Sequence, residues 1–303
     1  MNRDDQARWK NEALDEVFAA LAARDTLTAY VVYKGARILN RRLADVTRQS
    51  LDIDMNMTAQ FVAEFPRTSQ QRAAFEREIG AALREHFARA PVVRYDVERI
   101  TVRISAEHTL GWNAFEVLIG LRDFTRSNVR GLPTLKLDIA APEELGTRST
   151  AALAVDGHDV QAYTEMRIAG EKLRAFLTTL PAYRAKLNAG ARDVRTKDLF
   201  DLVRIERAHP LVYPGSGEFW RDAADDFRRA CASRFVDCAG LATFAERFET
   251  TRATYNADAT IDKNAISFDL AWATLEGIVM RLESLGVIPC AFPLPSSAGP
   301  QVT

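Results

Sequence analysis

From Arg48 to Met57 the chain reads Arg-Gln-Ser-Leu-Asp-Ile-Asp-Met-Asn-Met, with polar side chains at every even position from Ser50 onward. A period of two is the signature of a strand, so Ser50, Asp52, Asp54 and Asn56 share one face while Leu51, Ile53, Met55 and Met57 share the other. One face packs and the other presents paired carboxylates. Two acids so placed repel each other, and burying them unpaired is costly, whereas a bridging divalent cation reverses that balance. The run thus predicts a packed strand that carries a candidate metal site.

A third acid follows from the same reasoning. In Leu135-Lys136-Leu137-Asp138-Ile139 the three aliphatics share one face and Asp138 projects from the other. If the two strands are neighbours, Asp52, Asp54 and Asp138 converge. Phosphoryl and nucleotidyl transfer by two metals needs such a set, because magnesium takes oxygen ligands and paired ions clamp the attacking and leaving oxygens. Two further clusters carry charge. Lys172 borders an apolar stripe with Ala169 and Phe176, from which its ammonium either enters a cleft to meet phosphate or snorkels to solvent. Asp198 and Asp201 stand three apart in Arg195-Thr196-Lys197-Asp198-Leu199-Phe200-Asp201, where a first-turn acid also suits the helix dipole.

Periodicity places these residues on elements. An amphipathic helix is expected over about 5–23, a strand over Leu27–Tyr33 ending at Lys34-Gly35-Ala36, a short helix through Ile38 and Leu43, and a long helix capped by Ser69 running to about Ala88. Strands follow at 92–104, 113–122 and 134–140, and Asp156-Gly157 reads as a hairpin turn. After about Thr164 helical periods dominate: one helix through Ala169 to Leu180, one capped by Thr196, and others over about 218–235, 241–255 and 267–285. The reading is an α/β (α+β) chain: a mixed-sheet core over 1–163, a helical region over 164–290 that supplies Lys172 and Asp198 to the cleft, and a disordered tail over 291–303.

Composition narrows the chemistry. The 40 basic and 41 acidic residues are interspersed, and the net charge of -1 neither demands nor excludes nucleic acid. No stretch approaches the roughly 18 to 20 apolar residues of a membrane span, and the polar start Met1-Asn2-Arg3-Asp4-Asp5 has no apolar leader, so no membrane partner and a cytoplasmic location are expected. Cys231, Cys238 and Cys290 form no CxxC pair and read as reduced thiols, with Cys231 and Cys238 on one helix face. His86, His108, His158 and His209 are scattered, which argues against a histidine-centred site. Pro214-Gly215-Ser216-Gly217 lacks the ending of a phosphate loop and reads as a helix-capping turn, and Trp112 and Phe115 are offered to base stacking or, by default, to the core.

Taken in order, a strand ending in Lys34-Gly35-Ala36, then Arg48-x-Ser50-x-Asp52-x-Asp54, Asp138, Glu171-Lys172-Leu173-Arg174-Ala175 and Arg195-x-Lys197-Asp198-x-x-Asp201-Leu202, the chain resembles the AbiEii/AbiGii-type family of abortive-infection toxins. That resemblance spans roughly Leu27 to Arg207. It implies the nucleotidyltransferase fold of the DNA polymerase β-like superfamily and the toxin of a type IV toxin–antitoxin pair, with a nearby cognate antitoxin. It implies a nucleoside triphosphate (NTP) donor, Mg2+ or Mn2+ on Asp52, Asp54 and Asp138, and RNA, transfer RNA among it, as acceptor. By the same carry-over Asp138 accepts the acceptor's proton, Ser50 and Lys172 hold donor phosphates, Asp198 positions Lys172 or the nucleotide, and Asp201 is structural. The chain departs from the family where a Gly-Gly-Ser or Gly-Gly-Thr usually follows the first strand. Lys34-Gly35-Ala36-Arg37 has one glycine and no hydroxyl, which leaves the phosphates to backbone amides at Gly35 and Ala36 and to Arg37 or Arg48. Two other readings are a non-catalytic binding module on the same fold and a transferase acting on a protein or small-molecule hydroxyl.

Overall fold

A computed structural model describes residues 2–45, 48–105, 113–126, 131–211 and 217–295. His108, Trp112, Pro214–Ser216 and the end of the expected tail lie outside them. The described residues divide into two compact units, 1–143 with 150–163, and 144–149 with 164 onward.

The first unit opens with α1 (Arg3–Ala22), whose start is fixed by the Asn2 side chain accepting from the Asp5 amide at 2.8 Å. There follow α2 (Asp25–Tyr30), β1 (Val31–Lys34), α3 (Gly35–Leu43), β2 (Ile53–Met57), α4 (Ala59–Glu64), α5 (Thr68–Arg89), β3 (Tyr95–Ser105), β4 (Ala114–Asp123), β5 (Leu135–Ala140), β6 (Thr150–Val155) and β7 (His158–Tyr163). The seven strands form one mixed sheet in the order β3-β4-β5-β2-β1-β7-β6. Its central strands β2 and β5 run parallel, while β1 and β4 flank them antiparallel. Ile53, Met55 and Met57 line up with Leu137, Ile139, Phe115 and Val117 on one face, all at most 2 % exposed. Burial of that face drives the sheet together, at about 1.5–3 kcal/mol for each large apolar side chain removed from water.

Four sequence expectations need correction here. The segment 27–33 is not a single strand: Leu27 to Tyr30 belongs to α2, and only Val31 onward is extended. The reason is tertiary, because the Glu78 carboxylate on α5 accepts from Arg24 at 2.9 Å and Thr26 at 2.7 Å and so closes the first turn of α2. Secondly, α5 starts one residue before Ser69, with Arg67 in the capping position, where the Gln70 side chain accepts from its amide at 3.1 Å. Asp156-Gly157 does form the β6–β7 turn, with φ of 49° and 81°.

The second unit is helical: α6 (Glu165–Leu177), α7 (Pro181–Lys186), α8 (Thr196–Ala208), α9 (Gly217–Ala232), α10 (Leu241–Ala245), α11 (Phe248–Ala257) and α12 (Phe268–Ser284). Gly170 lets α6 approach α9 closely, since a Cβ there would stand 2.6 Å from the Phe227 nitrogen. Thr196 is the first residue of α8 rather than its cap, and its hydroxyl donates to Asp258 at 3.1 Å. The fourth correction concerns the cysteines: α9 ends at Ala232, and Cys238 pairs instead with Cys290 through two backbone hydrogen bonds of 2.9 and 2.8 Å. None of the three cysteines is in a disulfide. The segment 144–149 joins this unit through Arg148–Asp222 at 2.8 Å, Glu144–Arg229 at 2.7 Å and Ser149 on Asp226. No helix among the described residues is long and apolar enough to cross a membrane.

Candidate active site

Register builds the site. Asp54 stands beside Asp138 across the parallel β2–β5 pair, Glu116 beside Asp138 across β4–β5, and Lys34 beside Asp54 across β1–β2. Partners in a ladder project to the same face, so Lys34, Asp54, Asp138 and Glu116 form a charged row over four strands, opposite the apolar face. Asp52 lies just before β2 on the same side. One carboxylate oxygen each from Asp52, Asp54 and Asp138 lies within 4.8 Å of the others, and all three residues are half-buried. Three hard oxygen donors at that spacing suit a magnesium- or manganese-sized ion.

The surroundings hold these acids in place. Ser50 is buried, and its hydroxyl faces the Asp52 carbonyl at 3.1 Å and the Asp52 carboxylate at 3.3 Å. Arg37 does not turn outward to a phosphate: its guanidinium is 6 % exposed, binds Asp15 at 2.5 Å and Asn11 at 3.1 Å, and donates to the Ser50 carbonyl at 2.7 Å. It anchors the strand's approach to α1. Arg48 is half-buried, and its carbonyl accepts from Asn40 at 2.8 Å. Gly35 opens α3 at φ 78°, where a Cβ would fall 2.1 Å from Asp54 Oδ2, so glycine is required twice over, by conformation and by contact. Ala36 beside it is 6 % exposed. Lys34 also lies over the Tyr163 ring, 5.9 Å from its centroid.

Two cations escaped the sequence reading. Lys136 bonds Asp138 Oδ2 at 2.9 Å and reaches Glu116 Oε1 at 3.4 Å. Its position two residues before Asp138 already places it on the acidic face, and that alternation was the signal available. Lys10 of α1 is the second: burial lowers its pKa, the charge of Asp52 opposes that shift, and Lys136 adds to it. For Asp138 burial dominates and raises the carboxyl above its ordinary value, with Lys136 opposing and Asp52 and Glu116 reinforcing. Glu116 was missed because strand neighbours are not written in any one strand's alternation.

The remaining expected residues meet in the second unit. Lys172, 7 % exposed, bonds Asp201 at 2.6 Å and Asp198 at 3.1 Å. Arg195 also pairs with Asp198, and Arg204 with Asp201 at 3.1 Å. Burial alone would raise the Asp198 carboxyl, but the charges and hydrogen bonds of Arg195 and Lys172 hold it well below the usual range. Lys172 is thus not a solvent-seeking ammonium, and Asp201 is nearer to it than Asp198. Phe115, offered to a base, is a core residue at 1 % exposure.

A mixed sheet bearing a cluster of carboxylates on the face opposite its apolar one, followed by a helical region, is the arrangement of a nucleotidyltransferase, and a family model described as "Nucleotidyl transferase AbiEii toxin, Type IV TA system" matches residues 17–274. The chain belongs to that family. Membership brings an NTP as substrate and an antitoxin as the expected partner. Among solved structures, that of the antibiotic-resistance factor ANT(2'')-Ia, titled for its substrate-regulated conformation dynamics in solution, is similar at 15% identity and a TM-score of 0.29, covering 82% of this chain and 93% of that one. A superposition that loose carries nothing about this chain's chemistry. A search among curated proteins finds no match.

Proposed function

We propose that the protein transfers a nucleoside monophosphate from an NTP to an acceptor hydroxyl in a magnesium-dependent reaction, with RNA, transfer RNA among it, as the acceptor. The observation that carries this reading is the convergence of Asp52, Asp54 and Asp138 from two parallel strands. These three would hold the divalent ion, whose chemistry when bound is to polarise the donor phosphates and neutralise charge that develops on them. The acceptor oxygen bonds to the α-phosphorus as the bond to pyrophosphate breaks, and the hydroxyl proton passes to the Asp138 carboxylate. Ser50 keeps Asp52 in orientation, and the first amides of α3 at Gly35 and Ala36 face the donor's phosphates. Lys172 and Asp198 belong to the same reading through the family's block of residues, with Lys172 serving donor phosphates and Asp198 fixing its ammonium.

The test is incubation of the full chain with each labelled NTP, magnesium and total RNA. Label is expected in RNA with the unmodified protein and absent with Asp52→Ala. Labelling that survives Asp52→Ala would remove the carboxylates from the reaction.

A further inference from the structure

Lys136 occupies an unusual place for a cation. It stands on the same strand face as Asp138, its ammonium is 2.9 Å from one oxygen of that carboxylate, and it is 3.4 Å from Glu116 on the next strand. Asp138 is also one of three acids whose oxygens lie within 4.8 Å of one another. An ammonium on one oxygen of a carboxylate and a divalent ion on the other repel each other, so an ion bound at Asp138 weakens that carboxylate's hold on the lysine. The lysine has somewhere else to go. Glu116 is the in-register neighbour of Asp138, and the side chains of Lys136, Asp138 and Glu116 are all between 31% and 38% exposed, so the four-carbon stem is free to swing by the short step from one carboxylate to the other. Lys10, which lies close enough to interact with both Asp52 and Lys136, adds a second positive charge near the site.

We propose that Lys136 is a built-in counter-cation that occupies Asp138 in the absence of metal and is received by Glu116 when a divalent ion binds. Lys136 and Glu116 are then positioning residues that set the ion affinity of the site without ligating the ion. The proposal rests on the reading of Asp52, Asp54 and Asp138 as the ion site. In chemical terms the lysine keeps the three carboxylates from repelling one another while the site waits, and it lowers their affinity for a lone ion relative to one that arrives with the donor's phosphates.

Titration of the full-length protein with Mn2+, followed by calorimetry and by the loss of the free-ion paramagnetic resonance signal, tests both layers. Lys136→Met is expected to bind Mn2+ about fivefold more tightly, the scale of a partly exposed ion pair. Glu116→Gln is expected to bind more weakly, and the double variant to match Lys136→Met, because Glu116 acts only through the lysine. Lys136→Gln, which keeps a polar stem, should follow Lys136→Met. Unchanged or weaker binding by both lysine variants overturns the proposal, as does an equal cost of Glu116→Gln with and without Lys136, which would make Glu116 a ligand. Asp138→Asn separates the layers: if it titrates like the unmodified protein the ion is bound elsewhere and the site reading itself falls, whereas loss of binding there with neutral lysine variants overturns the counter-cation alone.

Discussion

Gly35 carries a burden out of proportion to its size. Its backbone sits at φ 78° and its missing side chain leaves room for Asp54 Oδ2. Gly35→Ala is expected to cost about 1–2 kcal/mol in backbone strain and also to push Asp54 out of line with Asp138. Nucleotidyl transfer and Mn2+ binding should both fall steeply while far-ultraviolet dichroism stays that of the folded chain. Lys172 answers differently. Lys172→Met leaves Asp198 and Asp201 buried around an apolar stem, and breaking a buried pair in this way costs about 3–5 kcal/mol, so a lower midpoint of urea denaturation is expected alongside any loss of activity. The acids at 54 and 138 were legible from alternation, since each strand states which of its residues share a face, and Asp52 from the same run although β2 begins only at Ile53. The partners Lys136 and Glu116 were not recognised, because the row they complete runs across strands, and register between strands is decided by the packing of the opposite face. Arg37 was misplaced for a related reason: its charge suggests a phosphate, and only the fold shows Asp15, Asn11 and the Ser50 carbonyl closing around it.

At the scale of elements, the sequence stated periods well and ends poorly. The strands at Leu135–Ala140 and Ala114–Asp123 lie where alternation puts them, whereas β2 begins only at Ile53, three residues inside the expected run, and Leu51 is 36 % exposed instead of packed. The helix at Asp25–Tyr30 was hidden because Thr28, Tyr30, Val31 and Val32 favour strands locally, while the ties that bend the first half into a helix come from α5, some fifty residues away. The expected helix over 241–255 is in fact α10 and α11, interrupted at Glu246–Arg247, where Arg247 turns to donate to the carbonyls of Thr179 and Arg192 at 3.2 Å. Glu78 gives the α2–α5 junction a pH signature. Burial would raise its carboxyl, but Thr26, Arg77 and Arg24 outweigh that and lower it from 4.5 to about 2. A carboxyl depressed in the folded state adds stability above its unfolded pKa, and that stability is lost as pH falls through the folded one. Unfolding midpoints should therefore drop between pH 4.5 and 2, and Glu78→Gln should flatten that decline while costing about 1–3 kcal/mol at neutral pH.

Across the whole molecule, the change from strand to helix near Thr164 was plain in the sequence, whereas the excursion of 144–149 was not, being too short to carry a period of its own. Those six residues are stitched to α9 by Arg148–Asp222, Glu144–Arg229 and the Ser149 hydroxyl on buried Asp226. A fragment beginning at Thr164 strips all three ties and leaves Asp226 with less of its hydrogen bonding. It is expected to melt at a lower temperature than the same fragment supplied with a synthetic 144–149 peptide, as thermal denaturation would show. The chain thus passes between its two units at 143/144, at 149/150 and again at 163/164. Genetic exchange cannot treat such units as beads on a string: a crossover at any single point hands one half a strap that belongs to the other, so recombinant relatives that inherit both units from one parent should be favoured over mosaics joined at 163.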